Sequence, residues 1–136
     1  MRLDGPSHLL PGKGGGVRIA ILDSGVEAHH PDLGGLKLTD DFFISESANS
    51  YRCEENHGRD LFGHGTAVCG IIRKLAPEAQ IGSFRVLGEN LRSRSAIIRE
   101  GARQALSRGY HVLNCSFGCS REDHVLIYKD WVDAAY

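Results

Sequence analysis

Asp23 and His64 are 41 residues apart in this chain, and each sits where an element of structure changes. Asp23 closes the apolar run Val17-Arg18-Ile19-Ala20-Ile21-Leu22 and is followed by Ser24-Gly25. His64 lies between two glycines, in Gly63-His64-Gly65-Thr66, at the head of a stretch with helical apolar spacing. A carboxylate can orient an imidazole and stabilise its cation, and a neutral imidazole can take a proton from a hydroxyl. The pair therefore has the chemistry of two members of a nucleophile-activating triad. Each residue alone has a plainer reading. Asp-Ser-Gly can be a turn whose carboxylate bonds nearby amides, and the histidine can simply cap a helix.

The surrounding elements must bring the two together. Val17–Leu22 reads as a parallel strand covered on both faces. Functional groups of such sheets gather at the carboxyl ends of the strands, where Asp23 stands, and Gly25 lets the chain turn away. Residues 24–62 read as loop-rich, with a short strand around Leu36 to Leu38 and a polar stretch from Ser45 to Asp60. A helix is expected over His64–Lys74, with Ala67, Val68, Ile71, Ile72 and Leu75 as its apolar stripe and Pro77 as its stop. Its positive N-terminal end disfavours imidazolium at His64. Gln80–Leu87 is a second strand. Ser93 or Ser95 can cap a helix running to Arg108, and Gly109 follows as its stop. His111–Cys115 is a third strand, and Arg121–Tyr136 reads as a last helix.

Strand and helix alternate three times, which predicts an α/β fold with a parallel sheet. Residues 1–16 are expected to be a flexible leader and 17–136 the domain. The glycine-rich Pro11–Gly16 segment precedes a strand, the wrong order for a phosphate loop. The final helix reaches Ala134-Ala135-Tyr136 without a stop signal, so the expectation is a chain cut short.

Bulk properties narrow the partners. The 136 residues carry 16 basic against 17 acidic side chains, a formal charge of -1. Nothing in that balance recommends nucleic acid or an anionic membrane. No apolar run approaches the roughly 20 residues of a membrane span, and the first residues lack a secretory signal, so the chain reads as cytoplasmic. Cys53, Cys69, Cys115 and Cys119 are then expected as free thiols. Cys53 and His57 are four apart, as are Cys115 and Cys119, but paired zinc-ribbon spacing is absent. No metal or other cofactor is expected.

Four ordered segments carry a family resemblance. Val17–Leu33, VRIAILDSGVEAHHPDL, resembles the aspartate motif of subtilisin-like serine proteases. Gly63–Ile72, GHGTAVCGII, resembles their histidine motif, and Leu75–Leu87, LAPEAQIGSFRVL, continues in register. Val112–Gly118, VLNCSFG, is similar to the strand lining their first specificity pocket. The resemblance implies a three-layer subtilisin-like fold, incomplete on its C-terminal side. It implies peptide or protein substrates and endopeptidase activity, with Asp23 orienting His64 and His64 as general base. Ser116, Phe117 and Gly118 would form one wall of the substrate cleft, pairing with an extended peptide as an added strand does. Ser116 is not read as the nucleophile, and Phe117 is read as an apolar contact for substrate.

The departures are as informative. The family's nucleophile lies in a Gly-Thr-Ser motif beyond the pocket strand, and these residues contain none. No residue matches the family's oxyanion asparagine. Between Ile72 and Ala76 there is no room for the calcium loop that many relatives insert, so no calcium is expected there. Alone, the polypeptide is expected to be inactive. Two readings follow: part of a subtilisin-like endopeptidase, or an inactive protease-like binding module or half-domain that assembles with a complementary chain carrying the serine. Cys69 and Cys115 are read as core thiols, not substitute nucleophiles.

Overall fold

A computed structural model describes residues 12–118 and 125–135. Strands are β1 (Arg18–Asp23), β2 (Asp41–Ser47), β3 (Ser50–Glu55), β4 (Gln80–Arg85) and β5 (Val112–Cys115). Helices are α1 (His64–Leu75), α2 (Ser95–Ser107) and α3 (Val125–Ala135). The sheet order is β3-β2-β4-β1-β5. β1 pairs in parallel with β4 and β5, and β4 in parallel with β2; only the β2–β3 hairpin is antiparallel.

The two-residue period of β1 sorts its side chains between two layers. Ala20 and Leu22 join Phe84, Val86, Ile98, Ala102 and Ala105 under α2. Ile21 faces the other way, onto Ile81, Leu33 and Cys69 of the α1 layer. Both faces are covered, which explains the unbroken apolar run. Each fully buried Ile or Leu contributes about 1.5–3 kcal/mol by leaving water. The same parity places Asp23, two residues beyond Ile21, on the α1 side at the strand's carboxyl end.

Several sequence expectations change. Leu36–Leu38 is not a strand: Leu36 is buried in the α1-side core just after a 3-10 turn at Pro31–Leu33. The polar stretch expected as loop holds the β2–β3 hairpin, in which only Ile44 is buried. In α1 the sheet-facing side is Gly65, Val68, Cys69 and Ile72, while Ala67, Ile71 and Leu75 turn outward. Ile71 is 60% and Leu75 75% exposed. Neither Ser93 nor Ser95 is the cap of α2; the cap residue is Arg94, and it makes no side-chain capping bond. The expected C-terminal helix is described as Val125–Ala135, packed on α2, and 121–124 and Tyr136 lie outside the described residues. So does residues 1–11 of the expected leader; at its described end, Glu78 donates a backbone bond to Lys13.

Candidate active site

Asp23 is fully buried, and His64 is 37% exposed at the first position of α1. His64 Nδ1 lies 2.8 Å from Asp23 Oδ1 and 2.9 Å from Oδ2. An ionised carboxylate only accepts, so the proton is on Nδ1 and the Nε2 lone pair of the neutral ring is left for another donor. The backbone N–H of Ser24 also donates to Asp23 Oδ1, at 2.7 Å. A buried charge needs such partners.

The approach depends on glycine. A Cβ at Gly65 would stand 2.0 Å from the Gly25 carbonyl oxygen and 3.2 Å from Asp23 Cβ. A Cβ at Gly25, where φ is 108°, would stand 2.0 Å from the Arg59 carbonyl oxygen. The turn after β1, the 56–63 loop and the start of α1 thus meet backbone to backbone.

Asp60 holds this junction, and the sequence reading passed over it. Its Oδ1 accepts from Ser24 Oγ (2.7 Å), Gly63 N–H (2.7 Å) and Phe62 N–H (3.0 Å). Its Oδ2 accepts from Thr66 N–H (2.9 Å) and Thr66 Oγ (2.5 Å). Burial pushes the Asp60 carboxyl up, but the bonds from Thr66, Gly63, Ser24 and Phe62 outweigh it and hold the group below its ordinary value. The available signal was an Asp just ahead of an apolar-periodic helix, a capping residue one turn early. Behind it, the buried Asn56 donates to Asp41 and to the Arg59 carbonyl and accepts from Arg85, fixing the loop's base.

The expected cleft wall follows β5. Ser116 and Gly118 are exposed. Ser116 Oγ accepts from Asn114 Nδ2 at 3.0 Å, and among the described residues it is neither buried nor bonded to backbone, as a plain strand-end hydroxyl would be. Phe117 is half-buried against the α2-side core, so much of its ring is committed to packing. The structure brings Asp23 and His64 into contact; it shows no bond from either to residues 116–118.

The cysteines are quiet. Burial pushes the Cys69 thiol to about 11, against a small opposing effect of Arg73. Burial and then the Asp23 charge push Cys115 to about 11. Neither is a thiolate near neutral pH. Cys53, Cys69 and Cys115 are free, and Cys119 lies outside the described residues. Among the described residues, no three His, Cys, Asp or Glu side chains gather as metal ligands, and no helix is long and apolar enough to cross a membrane.

A groove of about 770 Å³ runs along the outward face of α1, lined by Glu27, His30, Asp60, Thr66, Ala67 and Ile71 among others. Neither Asp23 nor His64 lines it. The chemistry lies at the head of α1, and the groove beside it.

A carboxylate–imidazole pair at the carboxyl edge of a doubly covered, mostly parallel sheet defines the class of site. More narrowly, the chain belongs to the subtilase family, whose model matches residues 14–134. It is 30% identical over 129 residues to "Subtilisin" of Bacillus sp. (strain TA39), covering 83% of this chain and 30% of that protein. It is 36% identical over 117 residues to the "Thermostable alkaline protease" of Halalkalibacterium halodurans, covering 77% of this chain and 28% of the relative. A solved structure of a lanthipeptide protease superposes with TM-score 0.69 at 26% identity, covering 91% of this chain and 37% of that one. A cold adapted subtilisin-like serine proteinase superposes with TM-score 0.68 at 21% identity, covering 91% and 44%, and shows the shared fold. The chain thus spans less than a third of the length of these two curated relatives.

Proposed function

We propose that this chain is the N-terminal part of a subtilisin-like serine endopeptidase domain, contributing the acid and base of its triad. The observation that carries the reading is the contact of His64 Nδ1 with both oxygens of the buried Asp23. In the complete enzyme, His64 Nε2 takes the proton of a serine hydroxyl as its oxygen attacks the scissile carbonyl. Asp23 stabilises the resulting imidazolium, which passes that proton to the leaving amine. Water then repeats the sequence on the acyl-enzyme and regenerates the serine. Ser116–Gly118 supply backbone for an extended substrate. The serine and the oxyanion asparagine come from sequence outside these residues, which contain no Gly-Thr-Ser.

A fluorophosphonate probe tests this. The 136-residue chain should not label. A chain extended in its reading frame by a Gly-Thr-Ser segment should label, and His64→Ala should abolish that labelling. Labelling of the short chain, or an extended chain indifferent to His64→Ala, overturns the proposal.

A second reading, a half-domain that assembles with a complementary chain, is favoured by one observation. Ala67 and Ile71, which line the groove, continue into Leu75 as an outward apolar row on α1. Probe labelling that appears only when a second polypeptide is added distinguishes it.

A further inference from the structure

We propose that Asp60 is a positioning residue for His64, setting the imidazole against Asp23 through the Ser24 hydroxyl and the first turn of α1. This rests on the acid–base reading of the pair given above.

Ser24 is fully buried and bonds in three directions. Its N–H donates to the Asp23 carboxylate, its hydroxyl donates to Asp60, and that hydroxyl accepts the Gly65 N–H at 3.0 Å. One residue thus ties the acid to the peptide group beside the base, and Asp60 fixes the rotamer that allows it. A helix start leaves its first N–H groups without intrahelical partners. Here the Asp60 carboxylate takes those of Gly63 and Thr66, on both sides of His64. The Thr66 hydroxyl, donated to Asp60, accepts the Glu27 N–H at 3.0 Å and draws in the segment after β1.

Asp60 is itself fixed on both flanks. Asn56 Nδ2 holds the Arg59 carbonyl, and the Leu61 N–H donates to the Ser24 carbonyl at 3.0 Å. The carboxylate therefore stands at a rigid crossing of three segments: the turn after β1, the 56–63 loop and the head of α1. A catalytic pair must be held within about 0.5 Å and 10–20° of its working geometry, and an ordinary helix cap does not require that. Among the described residues the His64 side chain bonds only Asp23, so its placement depends on the peptide groups flanking it.

The experiment uses nitrogen-15 histidine NMR on the 136-residue protein, following the low-field Nδ1–H proton of His64 and its exchange with solvent. Asp60→Ala should speed that exchange at least tenfold or erase the resonance. Asp60→Asn, which keeps one acceptor oxygen, should restore part of the protection. Tyr110→Phe, a destabilising change on the opposite sheet face, should leave the resonance as it is. If Asp60→Ala lowers the melting temperature but leaves the His64 proton and its exchange unchanged, Asp60 is only a helix cap and the proposal is wrong. If that variant does not fold, Ser24→Ala decides, because it removes the relay hydroxyl alone; an unchanged His64 proton there is equally fatal. In a fluorophosphonate-reactive extended chain, Asp60→Asn should lower kcat by about a hundredfold with KM little changed. Failure of the extended chain to label would count against the peptidase reading and leave the NMR result standing.

Discussion

Asp40 and Asp41 are neighbours in sequence, yet they serve opposite faces of the sheet. Asp41, at the start of β2, accepts from Asn56 and the Gly58 N–H on the side of α1. Asp40 accepts from the Tyr110 hydroxyl at 2.6 Å on the side of α2, with Arg18 and Arg108 each 3.9 Å away. There Arg18 lies over the Tyr110 ring and Arg108 over Phe42, both at 4.6 Å. Burial and the Asp40 carboxylate push the Tyr110 hydroxyl well above its ordinary value. Both networks are rich in charge and partly buried. In the α2-side cluster the one acid, Asp40, is satisfied by the Tyr110 hydroxyl, and the atom left over, Arg18 Nε, is buried. The α1-side network ends in a half-exposed imidazole whose Nε2 bonds nothing among the described residues. What separates a site from a staple here is not charge density but a proton-accepting ring left partly open to solvent.

The contrast between the two faces should be greatest at Asp23. In a fluorophosphonate-reactive extended chain, Asp23→Asn should lower kcat by about ten-thousandfold, since the wrong imidazole tautomer is then favoured. A loss under tenfold would deny the pair its role. Next is Gly65→Ala, whose methyl would meet the Gly25 carbonyl; urea titration should show about 3 kcal/mol lost, together with the His64–Asp23 bond. On the opposite face, Tyr110→Phe should cost about 1–2 kcal/mol in the same titration and leave labelling rates unchanged.

Acid should separate the faces further. The Asp60 carboxyl is held below its ordinary value, so the folded chain binds that proton more weakly than the unfolded one. Its contribution is complete above the unfolded value of about 4 and drains away as pH falls through the lower folded value. Asp60→Asn should therefore flatten stability against pH below about pH 4, measured by denaturant midpoints. The smallest effect is expected at Ile71→Ser, within about 0.5 kcal/mol, because that side chain is already in water.

Legibility in the sequence followed burial. β1, β4, α1 and α2 were readable because each buries an apolar run or stripe, and β5, which buries nothing fully, because Val112, Leu113 and Cys115 still spell an apolar strand. The β2–β3 hairpin was not, because β3 buries nothing fully and β2 only Ile44, leaving no two-residue apolar alternation to see. The α1 stripe was misjudged because apolar residues cover more than half its circumference, so spacing could not tell the sheet side from the open side. Asp23 and His64 were legible from their places at element ends and from the family words around them. Asp60 was not, since its importance lies in who it bonds across 36 residues of chain to Ser24.

The meeting of Gly65 with the Gly25 carbonyl leaves a mark on heredity. Every missense change of a glycine codon adds at least a β-carbon, and here even that atom would stand 2.0 Å from oxygen. No single-base missense step at this codon is silent in shape. Variation in descendants of this gene should therefore pass around position 65 far more often than through it, unless the backbone of the neighbouring turn is rebuilt in the same lineage.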